Sequence, residues 1–206
     1  MSFILDFIEQ FPISFAPQTD LKPWELIGHI SSILEDQIRL LDDNYSVSDG
    51  VALHKTAIIE NGVVMKGPVI IGADCFIGAN AYLRGGVYLG KGSKIGTGCE
   101  IKSSIIFNRS NIAHFNFIGD SIIGNNVNFE AGSVTANHFN ERADKKIFVV
   151  YKSEVFDTKV EKFGALVGDH SKIGANAVLS PGTILEKNSV VRRLELIDQF
   201  NDFKNN

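Results

Sequence analysis

The chain has 206 residues, 44% of them apolar and 21% charged, with a formal net charge of −4. This is the profile expected of one soluble globular domain, with or without a small appendage. The 20 Lys and Arg are outnumbered by 24 Asp and Glu, so there is no basic excess to release counterions from a nucleic-acid backbone, and no nucleic-acid partner is expected. No apolar run approaches the roughly 20 residues of a membrane span. Asp6 and Glu9 interrupt the greasiest N-terminal stretch, which rules against a signal peptide. Two cysteines, Cys75 and Cys99, are too few for a disulfide framework or a four-ligand zinc site. The expected setting is cytoplasmic, with both thiols reduced in the core.

Residues 1–48 read as a helical cap and linker. Pro23 opens a stretch whose apolar residues, Leu26, Ile27, Ile30, Leu34, Ile38 and Leu41, fall at helical spacing. A helix there is expected to cap the open end of the repeat region that begins at residue 51.

In that region an internal repeat takes over. An apolar position recurs every sixth residue: Leu53, Ile59, Met65, Ile71, Ile77, Leu83, Leu89, Ile95, Ile101, Phe107, Ala113. Two residues before each stands a small or β-branched partner such as Val51, Ala57, Val69, Cys75 or Ala81, and Gly72, Gly78, Gly90 and Gly96 follow their aliphatics at corners. A strand, a corner and a new strand every six residues describe a parallel β-helix with coils of 18 residues, stacked about 4.8 Å apart. The phase slips once, from Ala113 to Ile123, and resumes through Phe129 and Thr135. It breaks at about 136–164, a polar excursion followed by Ile-Phe-Val-Val-Tyr, which reads as a strand outside the coil. The ladder returns at Val167, Ile173, Leu179, Leu185 and Val191. The expectation is an all-β chain: a β-helix over 49–191, a helical tail over 192–206, and short capping helices at both ends.

Residues 18 apart in such a coil stack on one another. Arg84 and Lys102 are so related. Two stacked cations suit a phosphate between or before them, or else are a solvated surface pair. His114 falls at the same corner position over Gly96 and Gly78, whose missing side chains leave space beneath the imidazole. It is a candidate general base, although a lone His is more often structural. Asn126, Asn128 and Asn137 follow the slip, where they suit either left-handed turns or the reading of sugar hydroxyls and amines.

The runs Ala81-Tyr-Leu-Arg-Gly-Gly, Leu89-Gly-Lys-Gly-Ser-Lys, Ile112-Ala-His-Phe-Asn-Phe-Ile-Gly-Asp and Val127-Asn-Phe-Glu-Ala-Gly-Ser-Val-Thr-Ala-Asn resemble the left-handed β-helix acyltransferases. Within them the likeness is to the acetyltransferase domain of bifunctional N-acetylglucosamine-1-phosphate uridyltransferase/glucosamine-1-phosphate acetyltransferases. The resemblance implies leftward coiling, acetyl-CoA as co-substrate, an amino-sugar phosphate as acceptor, and a homotrimer with sites between subunits. It makes Arg84 and Lys102 the phosphate ligands, His114 the base, Asn128 a sugar contact, and Asn137 a group that places the amine and thioester. Ala131 and Ala175 fall where coenzyme A is met. No two histidines are five apart, unlike in the zinc motif of the gamma-type carbonic anhydrases, and no metal is expected.

Three positions depart from the family pattern. Phe117 stands for a Tyr at the substrate, Glu130 for a Gly beside the pocket, and Ala143 for a Lys, with Lys145 as the nearest substitute. The segment around Lys22-Pro-Trp-Glu-Leu-Ile resembles the joint to a nucleotidyltransferase domain whose Gly-rich loop is missing from the sequence, so no pyrophosphorylase activity is expected. Phe117 and Glu130 also suit an alternative: a non-catalytic trimeric scaffold or regulatory partner of a separate sugar nucleotidyltransferase.

Overall fold

The computed structural model describes residues 3–9, 11, 15 and 20–205. Short strands alternate with corners, and because successive side chains point to opposite faces of a strand, the six-residue repeat sends one aliphatic inward at each rung. Leu83, Ile95, Ile101, Phe129, Ile173 and Leu179 are all at most 1% exposed inside the coil. The coil is left-handed and has three faces of parallel strands. The first runs from Val51–His54 through Val69–Ile71 and Ile122–Ile123 to Thr183–Leu185. The second runs from Ile58–Ile59 through Asn111–Ile112 and Asn128–Phe129 to Val190–Val191. The third runs from Val64–Lys66 through Phe117–Gly119 to Leu196–Ile197. Two longer strands, Tyr82–Leu89 and Glu100–Ile106, bend around the corner between the third and first faces and fuse them into one 13-stranded sheet.

Stacking follows the 18-residue offset up to Arg84 against Lys102, then shortens: Lys102 pairs with Gly119, Ile95 with Ile112, and Ile112 with Phe129. Every change in coil length falls at the corner from the third face to the first. Two residues make that corner at Gly67-Pro68 and Gly85-Gly86, and one makes it at Ser103 and at Asp120, which hold φ of 45° and 47°. The excursion leaves from the same corner one coil later. The phase therefore slips twice, after Ile101 and after Ile118, and not once after Ala113. A one-residue shift exchanges the two sides of a strand. Ile106 and Ile112 accordingly point inward, while Phe107 packs outside the coil.

The N-terminal helices do not cap an open end. Helix α1 (Pro23–Gly28) and helix α2 (Ile30–Ile38), broken at His29, lie along the outer side of the first face. Trp24, Leu26, Ile30, Phe7 and Phe15 pack there on outward residues Ile70, Ile105, Phe107, Ile122 and Leu166, at about 1.5–3 kcal/mol for each fully buried large side chain. Helix α2 seats directly on Gly86 (φ 90°), where a Cβ would meet Ile30 Cγ2 at 2.9 Å. The first coil's edge is instead paired antiparallel by Tyr45–Ser48. At the other end Leu196–Ile197 is a further rung before helix α3 (Gln199–Asn205). Gln199 imitates the next strand, accepting from Ile184 N–H and donating to Ile184 O, both at 2.8 Å. Phe148–Tyr151 pairs with Glu154–Asp157 as an antiparallel hairpin outside the coil.

Core and corner make opposite stability predictions. Ile118→Ala, at a fully buried inward rung, should cost about 3–4 kcal/mol in chemical denaturation. Leu194, 78% exposed and held at φ 61°, should gain about 1 kcal/mol on replacement by Gly, because a left-handed side chain carries that strain.

Candidate functional site

Two edges of the third face carry the candidate residues. At its far edge Lys66, Arg84, Lys102 and Gly119 stand in register. Stacked ammonium and guanidinium groups repel, and carboxylates interleave between them. Glu100 Oε1 accepts from Arg84 Nε at 2.8 Å and lies 2.7 Å from its Nη2. Asp120 Oδ2 accepts from Lys102 Nζ at 2.6 Å, with the two side chains only 16% and 10% exposed. Asn137 Nδ2 donates to the same Asp120 oxygen, and His138 Nδ1 lies 3.2 Å from Asn137 Oδ1. The Phe117 ring turns toward this group: a Cβ on Gly119 would lie 2.7 Å from the ring and 3.1 Å from Asn137 Cγ. Arg84, Lys102, Phe117 and Asn137 are thus brought together, but neither cation is free. Beside them opens a cleft of about 470 Å³ lined by Ser31, Gly85, Ser103, Asp120 and Lys162 among others. The excursion lysine lining it is Lys162 and not Lys145.

The opposite edge of the third face holds His114. Phe115 N–H donates to Thr97 O, Gly132 N–H to His114 O, Asn176 N–H to Ala131 O, and Leu194 N–H to Ala175 O. One column therefore runs Thr97, His114, Ala131, Ala175, Arg193, and His114 stacks on Thr97 and not on Gly96. The shortened corner at Ser103 shifts it by one residue. Nor does Gly96 leave a space: a Cβ there would lie 2.6 Å from Ala113 O. The His114 ring is exposed and has no hydrogen-bond partner among the described residues. Phe115 beside it is 69% exposed at φ 56°, its ring folded over Gly98. Asn128 points outward on the second face, between Asn111 and Lys172. Asn126 makes a left-handed turn (φ 56°) and accepts from Arg109.

Asn128 also lines an open groove of about 540 Å³ with Glu130, Lys172, Arg192 and Arg193. Glu130 is not a lone negative charge. Arg193 holds it through two contacts of 2.8 Å, and Ala175 N–H donates to it at 2.9 Å. These donors hold its carboxyl down to about 2 from an ordinary 4.5. His114, Asn128, Ala131 and Ala175 thus share one side, Arg84, Lys102 and Asn137 the other, and a single chain does not bring the two sets together.

Three residues of the far edge escape the sequence reading. Lys66 was within reach, since subtracting 18 from Arg84 finds it. Asp120 and Lys162 had no signal, because the register that places them is set by the short corners and the excursion. Cys75 and Cys99 are free and buried, and burial pushes the Cys75 thiol up to about 11. Among the described residues no group of three His, Cys, Asp or Glu is placed to hold a metal, and no helix is long and apolar enough to cross a membrane.

A family model described as the GMPPB C-terminal domain matches residues 65–160, and one for the hexapeptide repeat of succinyl-transferase matches 165–192. The bifunctional protein GlmU of Methanococcus maripaludis is 42% identical over 189 residues, 89% of this chain and 44% of that protein. The chain is a GlmU-like hexapeptide-repeat domain. A bifunctional sugar-1-phosphate nucleotidylyltransferase/acetyltransferase of Sulfurisphaera tokodaii is 35% identical over 167 residues, 78% of this chain and 41% of that one. The GlmU-like domain thus spans less than half the length of these relatives. A crystal structure of a hexapeptide transferase family protein from Anaplasma phagocytophilum is 21% identical with a TM-score of 0.27, covering 71% of this chain and 72% of its own.

The paired charges can be tested one at a time. Asp120→Ala strands a half-buried Lys102 and should destabilise the fold by about 2–4 kcal/mol in denaturation, whereas the double replacement Lys102→Met with Asp120→Leu should lose less. Glu130 is a depressed carboxylate, so its contribution to stability is intact above pH 4.5 and is lost as pH falls toward about 2. A carboxyl NMR titration should find that low midpoint in the native protein and an ordinary one in Arg193→Ala.

Proposed function

We propose that the chain is an acyltransferase that moves an acetyl group from acetyl-CoA to the amine of an amino-sugar phosphate of the glucosamine-1-phosphate kind, as a cytoplasmic homotrimer. The observation that carries this reading is the His114 ring, exposed and without a partner among the described residues, on the same corner column as Ala131 and Ala175. A neutral imidazole there accepts a proton as the acceptor amine attacks the thioester carbonyl. The C–N bond forms, the tetrahedral oxyanion is steadied by backbone N–H groups, and collapse breaks the C–S bond and releases the thiol of coenzyme A. Arg84, Lys102 and Asn137, tied down by Glu100 and Asp120, receive the sugar phosphate. Because the two sets lie on opposite edges of one face, the second wall of the site comes from a neighbouring copy. The likeness to the bifunctional relatives supports the same substrate class.

A second reading, a non-catalytic trimeric scaffold for a sugar nucleotidyltransferase, is favoured by one observation: Arg84 and Lys102 already hold carboxylates. Thiol release from acetyl-CoA separates the two. Release that depends on glucosamine-1-phosphate or galactosamine-1-phosphate, and that falls about 10²- to 10⁴-fold in His114→Ala, is the expected result. No acceptor-dependent release from a folded trimer would favour the scaffold.

A further inference from the structure

The column that bears His114 is open along its middle and closed on either side, at Ala79 below and at Ala175 above. Among the described residues the corner N–H groups of Thr97, His114 and Ala131 have no acceptor, whereas that of Ala175 is taken by Glu130. The occupant is pinned as well. Glu130 Oε1 accepts from Arg193 Nη2 and Oε2 from Arg193 Nε, a planar two-point pairing that is the strongest geometry open to these groups. Glu130, Ala175 and Arg193 belong to three successive coils, so the pair spans about 10 Å along the outside of the corner. It thereby lies lengthwise where an extended ligand on this column would lie.

A comparison inside the chain separates cap from pin. Glu60 occupies the equivalent place at the start of the coil, and its Oε2 likewise accepts from the next corner N–H, that of Ala79, at 2.7 Å. No arginine holds Glu60. Capping a corner N–H is therefore what a Glu does at this position, and only in the upper coils is the cap locked. Gly78, Gly96 and Gly174 stand in the same column as Glu130, so the backbone there does not require a side chain.

We propose that the Glu130–Arg193 ion pair is a bolt across the acyl-donor track: the thioester arm reaches Ala175 N–H only when the Glu130 carboxylate swings away, and the freed Arg193 then faces the anionic part of the donor. This rests on the reading of Ala131 and Ala175 as coenzyme A contacts. It makes Glu130 a determinant of donor affinity, and it favours donors that carry their own phosphate to Arg193 over neutral thioesters.

Calorimetric titration of coenzyme A into the full-length chain tests this, with Glu130→Gly, Glu130→Gln and the wild type compared at one salt concentration. Glu130→Gly should bind about five- to tenfold tighter than the wild type, and Glu130→Gln, which keeps an oxygen for Ala175 but loses the charge that Arg193 holds, should gain about half that on a logarithmic scale. Measurable and equal affinity in all three, or weaker binding by the variants, overturns the bolt and leaves the acyl-transfer reading standing. No binding by any of the three folded proteins overturns that reading and the bolt with it. Should Glu130→Gly fail to fold, Glu130→Gln alone decides by the same criterion.

Discussion

The rest of the structure depends on the hydrogen-bond register between coils. A face of the coil tolerates no insertion, because one extra residue would turn its inward aliphatics to water and its outward residues into the core. A corner can absorb a change in length without disturbing either neighbouring strand. Only one of the three corners does so here, with two residues at Gly85-Gly86, one at Ser103 and at Asp120, and then the whole excursion. That corner is also where the cations stack, where helix α2 sits, and where the buried carboxylate of Asp120 is held. The variable corner thus carries one half of the candidate polar groups, while His114 and the Glu130–Arg193 pair stand on a corner of constant length.

Charge is managed at that corner by alternation. Two unit charges 4.8 Å apart in a surface environment repel by about 3.5 kcal/mol, and a ladder of Lys66, Arg84 and Lys102 would accumulate such terms. Glu100 and Asp120 divide the ladder, one acid to each upper cation. The consequence for a ligand is twofold. The side chains are held in one geometry before anything binds, which lowers the ordering cost, while the ladder cation that no acid matches is Lys66, exposed beside the Tyr82 ring. A phosphate received here, as proposed, would be recognised by geometry more than by field.

The repeat, the excursion and the stacking of Arg84 on Lys102 were legible in the sequence because each rests on a period that survives without knowledge of the corners. What depended on the slip was not. Apolar residues stand at both 106 and 107 and at both Ile112 and Ala113, so an unbroken six-residue ladder could be drawn through the wrong member of each pair, and His114 was thereby set on Gly96 in place of Thr97. The capping role given to residues 23–41 failed for another reason. Helical spacing identifies an apolar stripe but not its destination, and the outward row Ile70, Tyr88, Ile105, Ile122 and Leu166 that receives it is visible only once the first face is assembled.

The three faces end up unlike one another, and this bears on how copies meet. The first is covered by the chain's own N-terminal segment. The second presents Lys94, Asn111, Asn128 and Lys172 along its middle, with exposed Ile58 and Val190 at its two ends. The third presents Val64, Tyr82, Glu100, Phe117, Val134, Val178 and Leu196 in register, a mostly apolar row with one acid in it, and Val64 is 46% and Leu196 61% exposed. It is bounded by the two edges that hold the separated halves of the candidate site. In the proposed homotrimer, burying the third face of each copy against the next around a threefold axis removes this mostly apolar row from water. The same docking sets the His114 edge of one copy toward the Lys102 edge of another. Assembly and the completion of the site would then be one event, driven by the row of side chains between the two edges.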